Sequence, residues 1–247
     1  MPLVETEAIV LRTHRLGEAD KIASLFTRQL GRVRAVAKGA LSRRGRFGAA
    51  LEPLSYIRLW IYYRESRDLQ RLGSAEILES FFEMQKDYRV QLAAQYLAEV
   101  TERFLPDREV NERVFRLLLA VLRAIKRFGE VNRPLLFFDY WLLRLGGFLP
   151  DLSRCMKCQK QFADEDAYYD PLAVTLVCAQ CRSGTTERIS SHVLRLVPAF
   201  RAMRIEELIE VKPAPAGTHE LRRILEQIIE AHLEKKLTTR ALLAEEI

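Results

Sequence analysis

The chain has 247 residues, 49% of them hydrophobic and 29% charged, and a formal net charge of +6. That composition supports one large packed domain or two modest ones and excludes an intrinsically disordered chain. It also excludes a membrane span of roughly 18 apolar residues, because the best run, LLFFDYWLLRL, is interrupted by Asp139 and Arg144.

The opening MPLVETEAIV lacks the basic stretch and apolar run of a secretory leader. A cytoplasmic protein with reduced cysteines is therefore expected. The positive charge is uneven. Residues 1–75 carry 14 Lys+Arg against 7 Asp+Glu, or +7, and the remainder carries 25 against 26, or −1. A basic module joined to a neutral one points to a polyanionic partner for the first third, nucleic acid above all.

In chain order, ETEAIVLRT, KIASLFTR, GRVRAVAK, PLSYIRLWIYY and DLQRLGSAEI read as five short strands rich in β-branched and aromatic residues. Gly17, Gly31, Gly39, Gly45, Gly48 and Pro53 punctuate them. Five strands with no helix between them predict a five-stranded Greek-key barrel of the OB type over residues 1–80. In the fourth strand, Ile57, Leu59 and Ile61 should enter the barrel core. The alternate positions, Tyr56, Arg58, Trp60, Tyr62 and Arg64, then form an outward face that either stacks bases between phosphate contacts or packs on the following domain. Arg32, Arg34 and Lys38 alternate outward in the third strand. The segment AKGALSRRGRFGAALEP adds Arg43, Arg44 and Arg46 in a glycine-rich loop. It is no P-loop, since G-K-[ST] is missing, and it reads as a phosphate-contacting loop or a solvated charge run.

From about residue 81 to 247 the period becomes helical. YRVQLAAQYLAEVTERFL, ERVFRLLLAVLRAIKRFG and RPLLFFDYWLLRLGG are three amphipathic helices. Gly129 caps the second, and Gly146, Gly147 and Pro150 stop the third. SSHVLRLVPAFRAM and THELRRILEQIIEAHLEKKL are two more, with Thr218 as the predicted N-cap and His232 on the apolar stripe of the last. Arg113, Arg116, Arg123 and Arg127, with Lys126, form a basic row on the second helix. It reads most simply as that helix's solvated side, with an acidic partner or DNA as the other readings.

Between the third and fourth helices, at about 151–186, lie the chain's four cysteines. Cys155-x2-Cys158 and Cys178-x2-Cys181, nineteen residues apart, have zinc-ribbon spacing. Four thiolates satisfy tetrahedral Zn²⁺ and leave no position for water, so the site predicted here is structural, with a redox pair or metal-free knuckles as the other readings. Gln159 and Arg182 follow the second cysteine of each pair, where glycine would turn the knuckle more easily. Arg154, Lys157, Lys160 and Arg182 can offset the charge of a Zn(Cys)₄ centre.

No H-E-x-x-H, G-x-S-x-G or nucleotide fingerprint occurs, so binding is favoured over catalysis. Two other readings stay open. One is a metal-dependent nuclease using Asp164, Glu165, Asp166 and Asp170. The other is an RNA-binding OB module.

TEAIVLRTHRLGEADKIASLFTRQLGRVRAVAKGA, FFDYWLLRLGGFLPDLSRCMKC and HLEKKLTTRALL resemble the bacterial DNA repair protein RecO family of recombination mediators, with a likeness along most of the chain. The resemblance implies a non-enzymatic, nucleoid-associated protein with no small-molecule substrate. It implies binding of single- and double-stranded DNA, annealing without ATP and a grip on the acidic C-terminal tail of single-stranded-DNA-binding protein. With RecR as partner, it further implies help in loading RecA.

Overall fold

The five strands of the first third close on themselves, in a computed structural model that describes residues 2–42, 47–162, 164–212 and 216–246. β1 (Leu3–Leu16), β2 (Asp20–Thr27), β3 (Gly31–Ala37), β4 (Tyr56–Tyr62) and β5 (Leu69–Glu79) follow the order β1-β2-β3-β5-β4 around the barrel. β3 pairs with β5 in parallel, and the other four pairings are antiparallel. Ile57, Leu59 and Ile61 are fully buried beside Ala8, Val10, Leu25, Val33 and Ala35, as alternation along a half-buried strand requires. β1 departs from alternation because both its faces are covered. Ala8 and Val10 enter the barrel core, whereas Ile9 and Leu11 join the helical core. A register shift between Val10 and Arg12 marks the bulge that lets one strand serve two cores.

The β2–β3 turn holds the barrel to the helices. Gly31 there has φ +66°, and a Cβ on it would run into the backbone carbonyl of Glu109 in the loop between the first two helices. Only glycine meets both conditions. Nearby, the Phe26 ring packs 5.5 Å from Phe115.

α1 (Tyr88–Phe104) starts at Asp87, whose carboxylate accepts from the Arg89 and Val90 amides, and α2 (Glu112–Phe128) starts at Asn111, which accepts from Val114 N. Gly129 ends α2 and Gly147 ends α3 (Asn132–Gly146), both in the left-handed conformation expected of such caps. Asp139, which interrupts the apolar run of α3, faces inward. It accepts a 2.9 Å hydrogen bond from Tyr96, and burial raises its carboxyl well above the usual range. Among the described residues no helix is long and apolar enough to cross a membrane.

α4 (Ser191–Ala202), α5 (Ile205–Glu210), α6 (Thr218–Leu233) and α7 (Thr238–Glu246) complete the helical body. The start of α6 differs from expectation by one residue. Gly217, at φ +90°, is the N-cap and Thr218 is the first helical residue. His232 is exposed rather than in the core, and its ring stacks 3.6 Å from Phe148 at the solvent edge. α7 has little periodicity of its own. Buried Glu99 of α1 fixes it by accepting from Thr239 N at 2.9 Å, Thr239 Oγ1 at 2.6 Å and Thr238 N at 3.2 Å. The cysteine insertion folds as a small sheet in the order β7-β6-β8, built from β6 (Ala167–Asp170), β7 (Thr175–Val177) and β8 (Glu187–Ile189).

Candidate metal centre and nucleic-acid interface

The two C-x-x-C turns meet at the edge of the helical core. All four Sγ atoms lie within 4.8 Å of one another, and Cys158 and Cys178 are 3.8 Å apart. Zinc–sulfur bonds of about 2.3 Å at tetrahedral angles place sulfurs about 3.8 Å apart, so the donor set fits such an ion. Each knuckle is closed by its own backbone, with Gln159 N donating to Cys155 O and Arg182 N to Cys178 O. Gln159 takes the strained position at φ +63°, and its amide side chain donates to Met156 O at 3.0 Å. Arg182 has no positive φ and lays its guanidinium 4.7 Å from the Tyr168 ring centroid.

The electrostatics explain why this cluster wants a cation. Burial opposes ionisation of Cys155, but amide donors from Cys158, Cys178 and Lys157 outweigh it and bring the thiol down to about 6. Hydrogen bonds with the Cys178 and Cys158 thiols push Cys181 up to about 12. The Cys155 thiolate forms readily and Cys181 resists a second negative charge beside it, which a bound metal ion would balance. Lys157 bridges the knuckles through Cys181 O and Ser183 Oγ, each at 3.0 Å. Buried Cys155 and Cys178 share the helical core with Phe162, Tyr169 and Ile189.

The acidic loop is otherwise engaged. Asp164 pairs with Arg195, Glu165 with Lys160 and Asp166 with Arg188, and Asp170 accepts from the Leu172 and Ala173 amides. Among the described residues the four cysteines are the only group of metal-ligating side chains.

The barrel cations divide into two kinds. Arg32 is committed to structure, donating to Leu105 O at 3.1 Å and pairing with Asp107 at 2.9 Å. Arg34 and Lys38 are exposed and keep no anion partner among the described residues. Arg43, Arg44 and Arg46 lie outside the described residues. The β4 face is mixed, because strand pairing sets Glu5 opposite Trp60, Glu7 opposite Arg58, and Glu76 opposite Arg58 on the other side. Arg58 pairs with Glu5 at 3.5 Å and Glu76 at 3.8 Å, and Trp60 Nε1 donates to Glu5 at 3.2 Å. Tyr62 lies under the Arg71 guanidinium at 5.6 Å. Arg64 is exposed, its backbone clasped by Gln70. Tyr56 turns to the helices instead. Its hydroxyl donates to Glu7 at 2.7 Å and its ring meets Phe115 edge-on.

A groove that the sequence did not disclose runs beside Tyr56. It encloses about 590 Å³ between the barrel, α2 and α3. Arg28, Arg113, Arg116 and Arg123 rim it, over a floor that includes Phe137 and Trp141. Three members of the α2 basic row, all exposed as a solvated side requires, thus also line this surface groove. The available signal was on α3, where Phe137, Trp141 and Leu145 make a stripe at i, i+4 and i+8 outside the core-facing residues of the same helix. Cationic walls around an aromatic floor suit an acidic peptide with an apolar end.

Comparison with known proteins adds the family. Residues 1–81 match the family model described as "Recombination protein O N terminal", and residues 85–241 match "Recombination protein O C terminal". The chain is similar to the DNA repair protein RecO of Koribacter versatilis, with 42% identity over 237 residues that cover 96% of each chain. It is similar to that of Nocardioides sp. at 34% identity, covering 97% of this chain and 98% of the relative. The RecO of Caldicellulosiruptor saccharolyticus is 25% identical over 95% of both.

Proposed function

The chain belongs to the RecO family of DNA repair proteins, and on that footing we propose that it is a non-enzymatic recombination mediator. It binds single- and double-stranded DNA through the barrel and anneals complementary strands without ATP. With RecR it helps load RecA onto DNA coated by single-stranded-DNA-binding protein. The observation that carries this reading is the pair of unspent cations on the barrel, Arg34 and Lys38, beside structurally committed Arg32. Together with Arg43, Arg44 and Arg46 they supply sequence-independent contact to phosphates, which is what annealing requires. A cationic surface lowers the repulsion between two backbones while the bases search for register.

The groove between α2 and α3 is the proposed seat of the coating protein's acidic tail, its arginines meeting carboxylates and its aromatic floor the apolar end. The four cysteines hold Zn²⁺ as a structural brace, with no exchangeable position for chemistry. The pairing of Asp164, Glu165 and Asp166 with basic side chains speaks against a nuclease.

The test is fluorescence anisotropy of a labelled single-stranded oligonucleotide without ATP. Tight binding that tolerates sequence, weakens steeply with salt and drops in Arg34→Glu/Lys38→Glu supports the reading. Equal affinity of that variant at matched salt rejects the barrel as the site. A marked preference for RNA of the same length favours an RNA-binding module.

A further inference from the structure

A second cationic pocket lies at the C-terminal end of α3, at the entry to the cysteine insertion. It encloses about 480 Å³, and three arginines from three different elements converge on it: Arg144 from the last turn of α3, Arg154 just before Cys155, and Arg201 from α4. The floor includes Pro150 and the side chains of Asp151 and Ser153. Asp151 is the one acid in the pocket, and Arg154 Nε pairs with it at 2.9 Å. Arg201 Nε donates to the Tyr140 hydroxyl at 3.3 Å, and its charge also acts on Asp151 without forming an ion pair with it. Arg144 has no anion partner among the described residues, and its guanidinium stands 5.7 Å from the Trp141 ring centroid. Three positive charges thus face one negative charge in a recess of the size that takes a nucleotide-scale ligand.

We propose that this pocket is a phosphate site for a nucleic-acid strand, separate from the barrel surface. The inference rests on the DNA-binding reading above and extends it to a second place on the molecule. Guanidinium groups suit phosphate oxygens geometrically as well as electrostatically, because two N–H donors can meet two oxygens in one plane. Neither Arg144 nor Arg201 is held in an ion pair among the described residues, so each can meet a phosphate without first breaking one. Asp151 orients Arg154 and sets a limit on affinity. Two cationic sites on one chain also give a physical route to annealing, since one strand can lie on the barrel while the pocket holds its complement.

The test is anisotropy of a single-stranded oligonucleotide on the full-length protein across a salt series, with three variants. Arg144→Gln/Arg201→Gln is expected to lower the slope of log affinity against log salt by about 1.4, which is two phosphate contacts at about 0.7 each. Arg144→Lys/Arg201→Lys should keep that slope, because counterion release counts charges. Asp151→Asn should tighten binding, an effect that a folding defect cannot mimic. If none of the three moves while Arg34→Gln/Lys38→Gln weakens binding, the pocket is not a nucleic-acid site and the barrel reading survives. If the wild-type protein binds no oligonucleotide at low salt, both readings fail. If Arg144→Gln/Arg201→Gln loses only an acidic peptide, the occupant is a protein and the proposal is overturned.

Discussion

Arg28, at the end of β2, grips both carboxylate oxygens of Glu112 at the first turn of α2, with Nε to Oε2 at 2.8 Å and Nη2 to Oε1 at 2.7 Å. Its remaining Nη1 donates to Glu7 of β1 at 2.6 Å. One planar side chain therefore ties two barrel strands to the helical body and stands at the rim of the α2–α3 groove.

This clamp predicts a pH dependence. The hydrogen bond from Arg28 holds the Glu112 carboxyl below its ordinary value of 4.5. For Glu7, burial works the other way but is outweighed by Tyr56 and Arg28, and its carboxyl is lowered too. Depressed carboxyls stabilise the fold above about 4.5 and lose that contribution as pH falls through their folded-state values. Arg28→Ala should cost about 1 kcal/mol at pH 7, since the group is partly exposed. Its urea midpoint should converge on that of the wild type as pH drops below about 4.5.

Gly31→Ala tests the hinge between barrel and helices. A methyl group there meets the Glu109 backbone and an unfavourable φ at once, and neither can yield cheaply. A loss of about 3 kcal/mol in denaturant unfolding is expected, whereas Gly39→Ala, with open space around its Cβ, should lose less.

Cys158→Ser tests the brace. The variant should retain less than one zinc per chain by elemental analysis and lose about 2 kcal/mol, which is about 4–8 °C in Tm for a chain of this size. Oligonucleotide affinity at a temperature where the variant stays folded should change little. Abolished binding with intact circular dichroism would give the knuckle a direct role.

The groove is tested by Arg116→Glu and Trp141→Phe. Each should weaken an acidic peptide with an apolar C-terminus, Arg116→Glu by about tenfold or more. Neither should change oligonucleotide affinity by a comparable factor.

How far these features were legible depends on how local their causes are. The barrel strands, the inward row Ile57, Leu59 and Ile61, and the Gly129 cap follow from period and turn chemistry within a few residues. The cysteine site follows from spacing alone. The β4 outer face does not, because Glu5, Glu7 and Glu76 reach Arg58 and Trp60 only through cross-strand register. α7 was missed because Glu99, more than a hundred residues earlier, supplies the partners for its first turn. The groove needed α3 to set Phe137 and Trp141 opposite Arg116 and Arg123 on α2, a relation between two helices that neither periodicity contains.

The central claim is that this chain brings complementary strands together while they are coated. It is tested most directly by timing the annealing of two oligonucleotides covered by single-stranded-DNA-binding protein, without ATP, with and without that protein's acidic tail. The account predicts faster annealing on the tailed protein and a loss of that gain when the tail is removed or when Arg34 and Lys38 are reversed. No acceleration on the tailed protein, with the fold and metal intact, would contradict it.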